Sequence, residues 1–257
     1  MITCYLIQRQ NKENLTLSPY LDINRVGHWS EDEQVVLKSS GMLTKNQRDE
    51  ASYALYAAID FSVDRWIQNK QYIPRLLISA AVFTASYFFF SLVIRDPVPM
   101  VDELLISGGL VLLAWNYLAK RDTRSSIAQR RRYELKLRCG EREQEIDEQL
   151  FAVEAFLDEA SSEDSLELCN SLALVSSEPL KPISYEGSNE TLKELGELLA
   201  HYLRIYNKSL YKTAVKVHNQ RMQRRKNERL AARLFHQSMQ KRLDIGLLAL
   251  LVSLMEL

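Results

Sequence analysis

The chain has 257 residues, with 33 Lys and Arg against 33 Asp and Glu and a formal net charge of zero. Its length bounds it to one or two domains, and the absence of a global field argues against nucleic acid as a partner. Cys4, Cys139 and Cys169 are an odd number without CxxC spacing, so they read as reduced, structural or incidental thiols on a cytoplasmic side.

In chain order, Met1–Ser18 is weakly patterned. Thr3–Ile7 has strand composition, but no partner strand is evident, and an extended arm fits as well. The segment MITCYLIQRQNKEN lacks a basic n-region and a long apolar run, so a cleaved signal peptide is not expected. Ser30 with Glu33 forms a capping box, which predicts a helix ending at Gly41. Thr44 with Gln47 forms a second. From there Ala54, Leu55, Ala58, Ile59, Ser62 and Trp66 recur at helical spacing, and Pro74 marks a kink or a bilayer entry.

Two uncharged apolar runs follow, the 19-residue Leu76–Ile94 and the shorter Leu104–Leu118, joined by RDPVPMVDE. About 20 apolar residues cross about 30 Å of hydrocarbon, so the pair reads as a transmembrane hairpin, with Val98, Met100 and Val101 extending the second span. A soluble core helix would keep a polar face, and Leu76–Ile94 offers only Ser79, Thr84, Ser86, Tyr87 and Ser91. Arg65, Lys70 and Arg75 precede the first span. Lys120, Arg121, Arg124 and Arg130–Arg132 follow the second, whereas the turn holds only Arg95. The excess of basic flanks predicts both termini in the cytoplasm and Arg95–Glu103 outside. Trp66, Tyr72, Trp115 and Tyr117 fall where an aromatic belt on the inner face belongs.

Beyond the hairpin, Lys120–Glu159 reads as a long helix, with Leu135, Cys139, Ile146, Leu150, Val153 and Leu157 on one stripe. The last four step as a packed seam and are expected to meet the stripe Leu192–Tyr206. Ser165–Val175 reads as a short helix and Ser176–Ser188 as a loop. Thr191 with Glu194 forms another capping box, opening a helical pattern from Leu192 to about Asp244. The apolar tail Leu243–Leu257 is short for a span; packing against the bundle or a subunit contact is favoured over membrane insertion.

Charge is segregated behind the neutral total. Glu141–Glu167 holds eleven acidic residues against one basic, and Arg204–Arg242 twelve basic against one acidic. Antiparallel pairing of the two segments is one reading. The other leaves Arg221, Arg224, Arg225, Lys226, Arg229 and Arg233 free for an anionic surface: lipid, RNA or an acidic protein.

No nucleotide-binding, zinc-protease or hydrolase motif is present, and His28, His201, His218 and His236 stand alone. No catalytic, cofactor-binding or metal residues are therefore expected. The expected fold is all-α: a two-span transmembrane hairpin with a cytoplasmic bundle of long helices. Its divisions are an arm and short helix (1–43), a juxtamembrane helix (44–75), the hairpin (76–118) and a cytoplasmic helical or coiled-coil domain (119–257). The expected function is a non-enzymatic scaffold or anchor in the inner or plasma membrane, acting by partner binding or self-assembly, with a homo-oligomer expected. The alternative is an oligomeric two-span channel or pore-forming effector lined by Ser79, Thr84, Ser86 or Ser107.

Overall fold

A computed structural model describes residues 1–10, 12–27, 34–93, 101–176, 180, 183 and 189–257. About three quarters of these residues are helical, as the helical patterning leads one to expect. The elements are β1 (Ile2–Ile7), β2 (Leu15–Leu17), α1 (Ile23–Gly27), β3 (Val35–Ser39), α2 (Lys45–Lys70), α3 (Tyr72–Val93), α4 (Val101–Thr123), α5 (Ser126–Gly140), β4 (Glu143–Ile146), α6 (Glu148–Ser162), α7 (Ser165–Leu172), α8 (Glu190–Tyr206), α9 (Lys208–Met222), α10 (Glu228–Met239) and α11 (Ile245–Met255). They divide into two compact units. The first comprises Met1–Leu21, Glu31–Leu55 and Cys139–Leu257; the second comprises Asp22–Ser30 and Tyr56–Arg138.

A four-stranded sheet in the first unit departs from the all-helical expectation. Its order is β2-β1-β3-β4. β1 pairs antiparallel with β2 (Tyr5 opposite Leu17) and parallel with β3 (Cys4 opposite Leu37), and β3 pairs parallel with β4 (Leu37 opposite Gln144). The supposed arm is therefore a central strand, buried along most of its length. The helix expected from Ser30 to Gly41 is replaced over Val35–Ser39 by β3; the Ser30–Glu33 capping box lies outside the described residues. Val35 and Val36 suit a pleated, buried strand, and the three-residue apolar run Val35–Leu37 does not by itself distinguish strand from helix.

Parallel strands need a crossover connection. Between β3 and β4 that connection is the whole run α2–α5, so the apolar hairpin is an insertion in a crossover of the sheet. Lys120–Glu159 is accordingly not one helix: α4 stops at Thr123, α5 at Gly140, and β4 intervenes before α6. β4 is the sequence EQEI, with three of its four residues exposed. Backbone pairing with β3, rather than apolar alternation, makes it a strand, and Asp147 then donates its backbone N–H to Ser39 O at 2.9 Å.

The helical core of the first unit forms around α11. Every residue from Ile245 to Ser253 is buried, and α6, α7, α8 and α9 pack on it. The apolar tail is thus a central core helix. Gly196 permits the α8 approach, since a Cβ there would meet Leu254 Cβ at 3.2 Å. Leu150, Val153 and Leu157 of the expected seam are buried in this core. Their principal neighbour is α11 rather than α8, however, and Ile146 is 54% exposed at the end of β4.

The pattern read as one helix from Leu192 to Asp244 is three helices. Asn207 caps α9 by accepting from Leu210 N–H at 3.1 Å, and Asn227 caps α10 by accepting from Leu230 N–H at 3.0 Å. Asp244 caps α11 by accepting from Leu247 N–H at 3.2 Å. The expected Thr191–Glu194 box is not the start of α8, whose N-cap is Asn189 without a side-chain capping bond. The Thr44–Gln47 box does form: Thr44 N–H donates to Gln47 Oε1 at 2.9 Å and Gln47 N–H to Thr44 Oγ1 at 3.4 Å.

Candidate functional site

Two features carry functional weight: the hairpin in the second unit and the basic α9–α10 region in the first. α3 begins one turn residue after α2, with Pro74 in its first turn, where the missing N–H costs nothing. Backbone bonds continue through the break, from Gln71 N–H to Ile67 O at 2.9 Å and Arg75 N–H to Gln71 O at 3.0 Å. The backbone hydrogen-bond ladder thus runs on from α2 into α3. Helices over Tyr72–Leu92 and from Val101 are long and apolar enough to cross a membrane, and only 11% of each apolar window is buried.

The base of the hairpin is clamped. Arg75, 5% exposed, donates from Nε and Nη2 to Asp122 Oδ2 at 3.2 and 2.9 Å, and its guanidinium lies 5.2 Å from the Trp115 ring centroid. Tyr72 meets Trp115 edge-on at 5.8 Å. Three of the residues read from sequence as basic flank and aromatic belt, Tyr72, Arg75 and Trp115, thus form one cluster where α3 begins and α4 ends. Removing Asp122 would leave an enclosed guanidinium without its carboxylate.

Several polar groups on α3 and α4 are buried or bond locally. Ser79 and Ser107 are buried, Thr84 Oγ1 donates to Ala80 O at 3.0 Å, and Ser86 Oγ donates to Val82 O at 2.7 Å. Tyr87 lies between ring contacts with Phe83 and Phe88. Gly108 and Gly109 have no neighbour within 4 Å of an added Cβ, so closure of the hairpin does not depend on their small size. Of the turn Arg95–Glu103, residues 95–100 lie outside the described residues, as does His28.

The six basic residues singled out from sequence do not form one uniform surface. Arg221 is engaged: Nε and Nη2 donate to Glu256 Oε1 and Oε2 at 2.5 and 3.1 Å, and Nη1 donates to Ser171 O at 3.0 Å. Arg224, Arg225 and Lys226 are exposed on the α9–α10 turn, and Arg229 and Arg233 are exposed on α10. Arg221, Arg224 and Lys226 line a groove of about 650 Å³. Among the described residues, Asp147 of the acidic segment pairs with Lys38 at 3.0 Å, and Arg221 of the basic segment pairs with Glu256. Glu256 in this role was not legible, because nothing local marks a carboxylate 35 residues away as the partner of Arg221.

Cys4, Cys139 and Cys169 are buried free thiols. Burial pushes the Cys4 thiol up to about 12, Cys139 up to about 11 and Cys169 up to about 12. No cluster of three or more His, Cys, Asp or Glu suited to a metal occurs among the described residues. No protein-family model matches the chain, and neither a curated protein nor a solved structure matches it.

Proposed function

We propose that the protein is a non-enzymatic integral membrane scaffold, in which a lipid-embedded hairpin anchors a cytoplasmic sheet-and-helix domain for partner binding or self-assembly. The observation that carries this is the apolar hairpin surface left uncovered. Leu77, Phe88, Phe89 and Leu92 on α3, and Leu105, Leu112 and Leu113 on α4, are each more than half exposed. A soluble core helix buries such a stripe, and a contiguous apolar surface of this kind calls for lipid. The basic and aromatic cluster at the base of the hairpin supports a cytoplasmic location for both termini and the sheet-and-helix domain.

The pore reading has less support. Of the four hydroxyl residues that would line a channel, Ser79 and Ser107 are buried in the hairpin and Thr84 alone is exposed. No charged group lies within the central apolar runs to relay an ion. Reporter fusions at residue 99 and at the C-terminus, together with alkaline carbonate extraction, test the anchor. The expected outcome is an external reporter at residue 99, a cytoplasmic one at the C-terminus, and retention in the membrane pellet. Release by carbonate, or a cytoplasmic readout at residue 99, would refute it. The mass in detergent separates the two readings, since a large ring would favour the pore.

A further inference from the structure

We infer that the groove between the C-terminal turn of α7 and the α9–α10 turn binds a phosphate-bearing ligand, and that Glu256 occupies Arg221 as an internal stand-in for the phosphate. The inference is independent of the membrane reading, since every residue it uses belongs to the sheet-and-helix unit.

Among the described residues, three cationic side chains, Arg221, Arg224 and Lys226, line the groove, against one carboxylate, Glu256. The balance of two positive charges matches a phosphate monoester, which carries about −1.5 to −2 at neutral pH. Arg221 already holds a bidentate carboxylate in the fork geometry by which guanidinium groups take phosphate. Its orientation is fixed from behind by Ser171 O. Glu256 lies past the last residue of α11, so its side chain can leave Arg221 without disturbing the buried helix.

The turn is shaped for this placement. Arg224 has φ 50° and Leu174 φ 57°, and both line the groove. Non-glycine residues seldom adopt this conformation, and here Arg224 and Lys226 line the same groove as Arg221. Leu174 and the exposed Met222 give the groove an apolar side. A volume of about 650 Å³ exceeds what a bare phosphate needs. The ligand class is therefore a phosphate joined to an apolar or flat body, either a soluble phosphomonoester or a phospholipid headgroup.

The test uses the full chain in non-ionic detergent, titrated with inorganic phosphate, adenosine 5′-monophosphate and short-chain phosphatidic acid, with short-chain phosphatidylcholine as control, and read by phosphorus NMR and calorimetry. Saturable binding of a phosphomonoester is expected. The double variant Arg224→Ala/Lys226→Ala should weaken it at least about tenfold. Glu256→Gln should tighten it about two- to fivefold by releasing Arg221. Arg229→Ala/Arg233→Ala, which leaves the groove lining intact, should leave affinity unchanged. Tighter binding of the nucleotide identifies a soluble ligand; tighter binding of phosphatidic acid identifies a headgroup. Absence of saturable binding to all three phosphomonoester and phosphate probes would overturn the inference. So would a loss in Arg229→Ala/Arg233→Ala equal to that in the groove variant, or weaker binding by Glu256→Gln.

Discussion

Asp244 offers the sharpest test of how the central helix is held. Its carboxylate accepts from Leu247 N–H at 3.2 Å, capping α11, and also pairs with Arg9 and, at 3.0 Å, with Lys12. It thereby ties the segment after β1 to the start of the buried helix. Burial opposes ionisation of this carboxyl, yet Arg9, Lys12 and the Leu247 N–H together hold it below the usual carboxylate range. Two substitutions separate the roles. Asn caps as well as Asp but carries no charge, so Asp244→Asn removes only the ion pairs, for about 0.5–2 kcal/mol. Asp244→Ala removes the cap as well and should cost about 1–3 kcal/mol in all. For a chain of this size, each kcal/mol shifts the melting temperature by about 2–4 °C. The assay is thermal and urea unfolding of the full chain in non-ionic detergent, followed by far-ultraviolet circular dichroism. Because the folded carboxyl lies low, its charge contributes fully above the ordinary carboxylate value of about 3.9 and is lost as pH falls through the lower folded value. The gap between wild type and Asp244→Asn should therefore close on acidification, while the gap between Asn and Ala persists. An Asp244→Ala protein with wild-type stability at pH 7, or a wild-type–Asn gap that does not change with pH, would refute the reasoning.

Leu150 is fully buried in the α6–α11 core, so Leu150→Ala should cost about 2–5 kcal/mol; an unchanged urea midpoint would show that the site is not enclosed. The three cysteines should resist alkylation at pH 8 in the native protein and react together on denaturation, since burial raises each thiol well above that pH; rapid native modification of any one would contradict its burial. Asp122→Ala should strand the enclosed Arg75 and cost about 3–5 kcal/mol of hairpin stability, read as increased protease sensitivity around residue 71; unchanged protease resistance would show that the clamp is not needed.

The residues by themselves determined what depends on local composition and short spacing. Uncharged runs at Leu76–Ile94 and Leu104–Leu118 mark two helices because long apolar stretches have few other solutions. Thr44 and Gln47 mark the start of α2 because a capping box is complete within four residues. The breaks at Asn207, Asn227 and Asp244 were also present locally, each an Asn or Asp three residues before a leucine. They were masked by a helical apolar pattern that continues across them.

Apart from the strand composition of Thr3–Ile7, the sheet was decided by tertiary structure. Val35–Ser39 is a strand because β1 lies beside it, and Glu143–Ile146 is one because β3 offers a free edge about a hundred residues earlier in the chain. No pattern within EQEI encodes that pairing. The same holds for the groove. Arg221 and Glu256 are ordinary charged residues in sequence, and only the packing of α9 on α11 puts a guanidinium and a carboxylate in bidentate contact. Local signals set which segments are helical, because helix hydrogen bonds close within four residues; pairing between distant segments depends on which backbone edges and charges folding brings together.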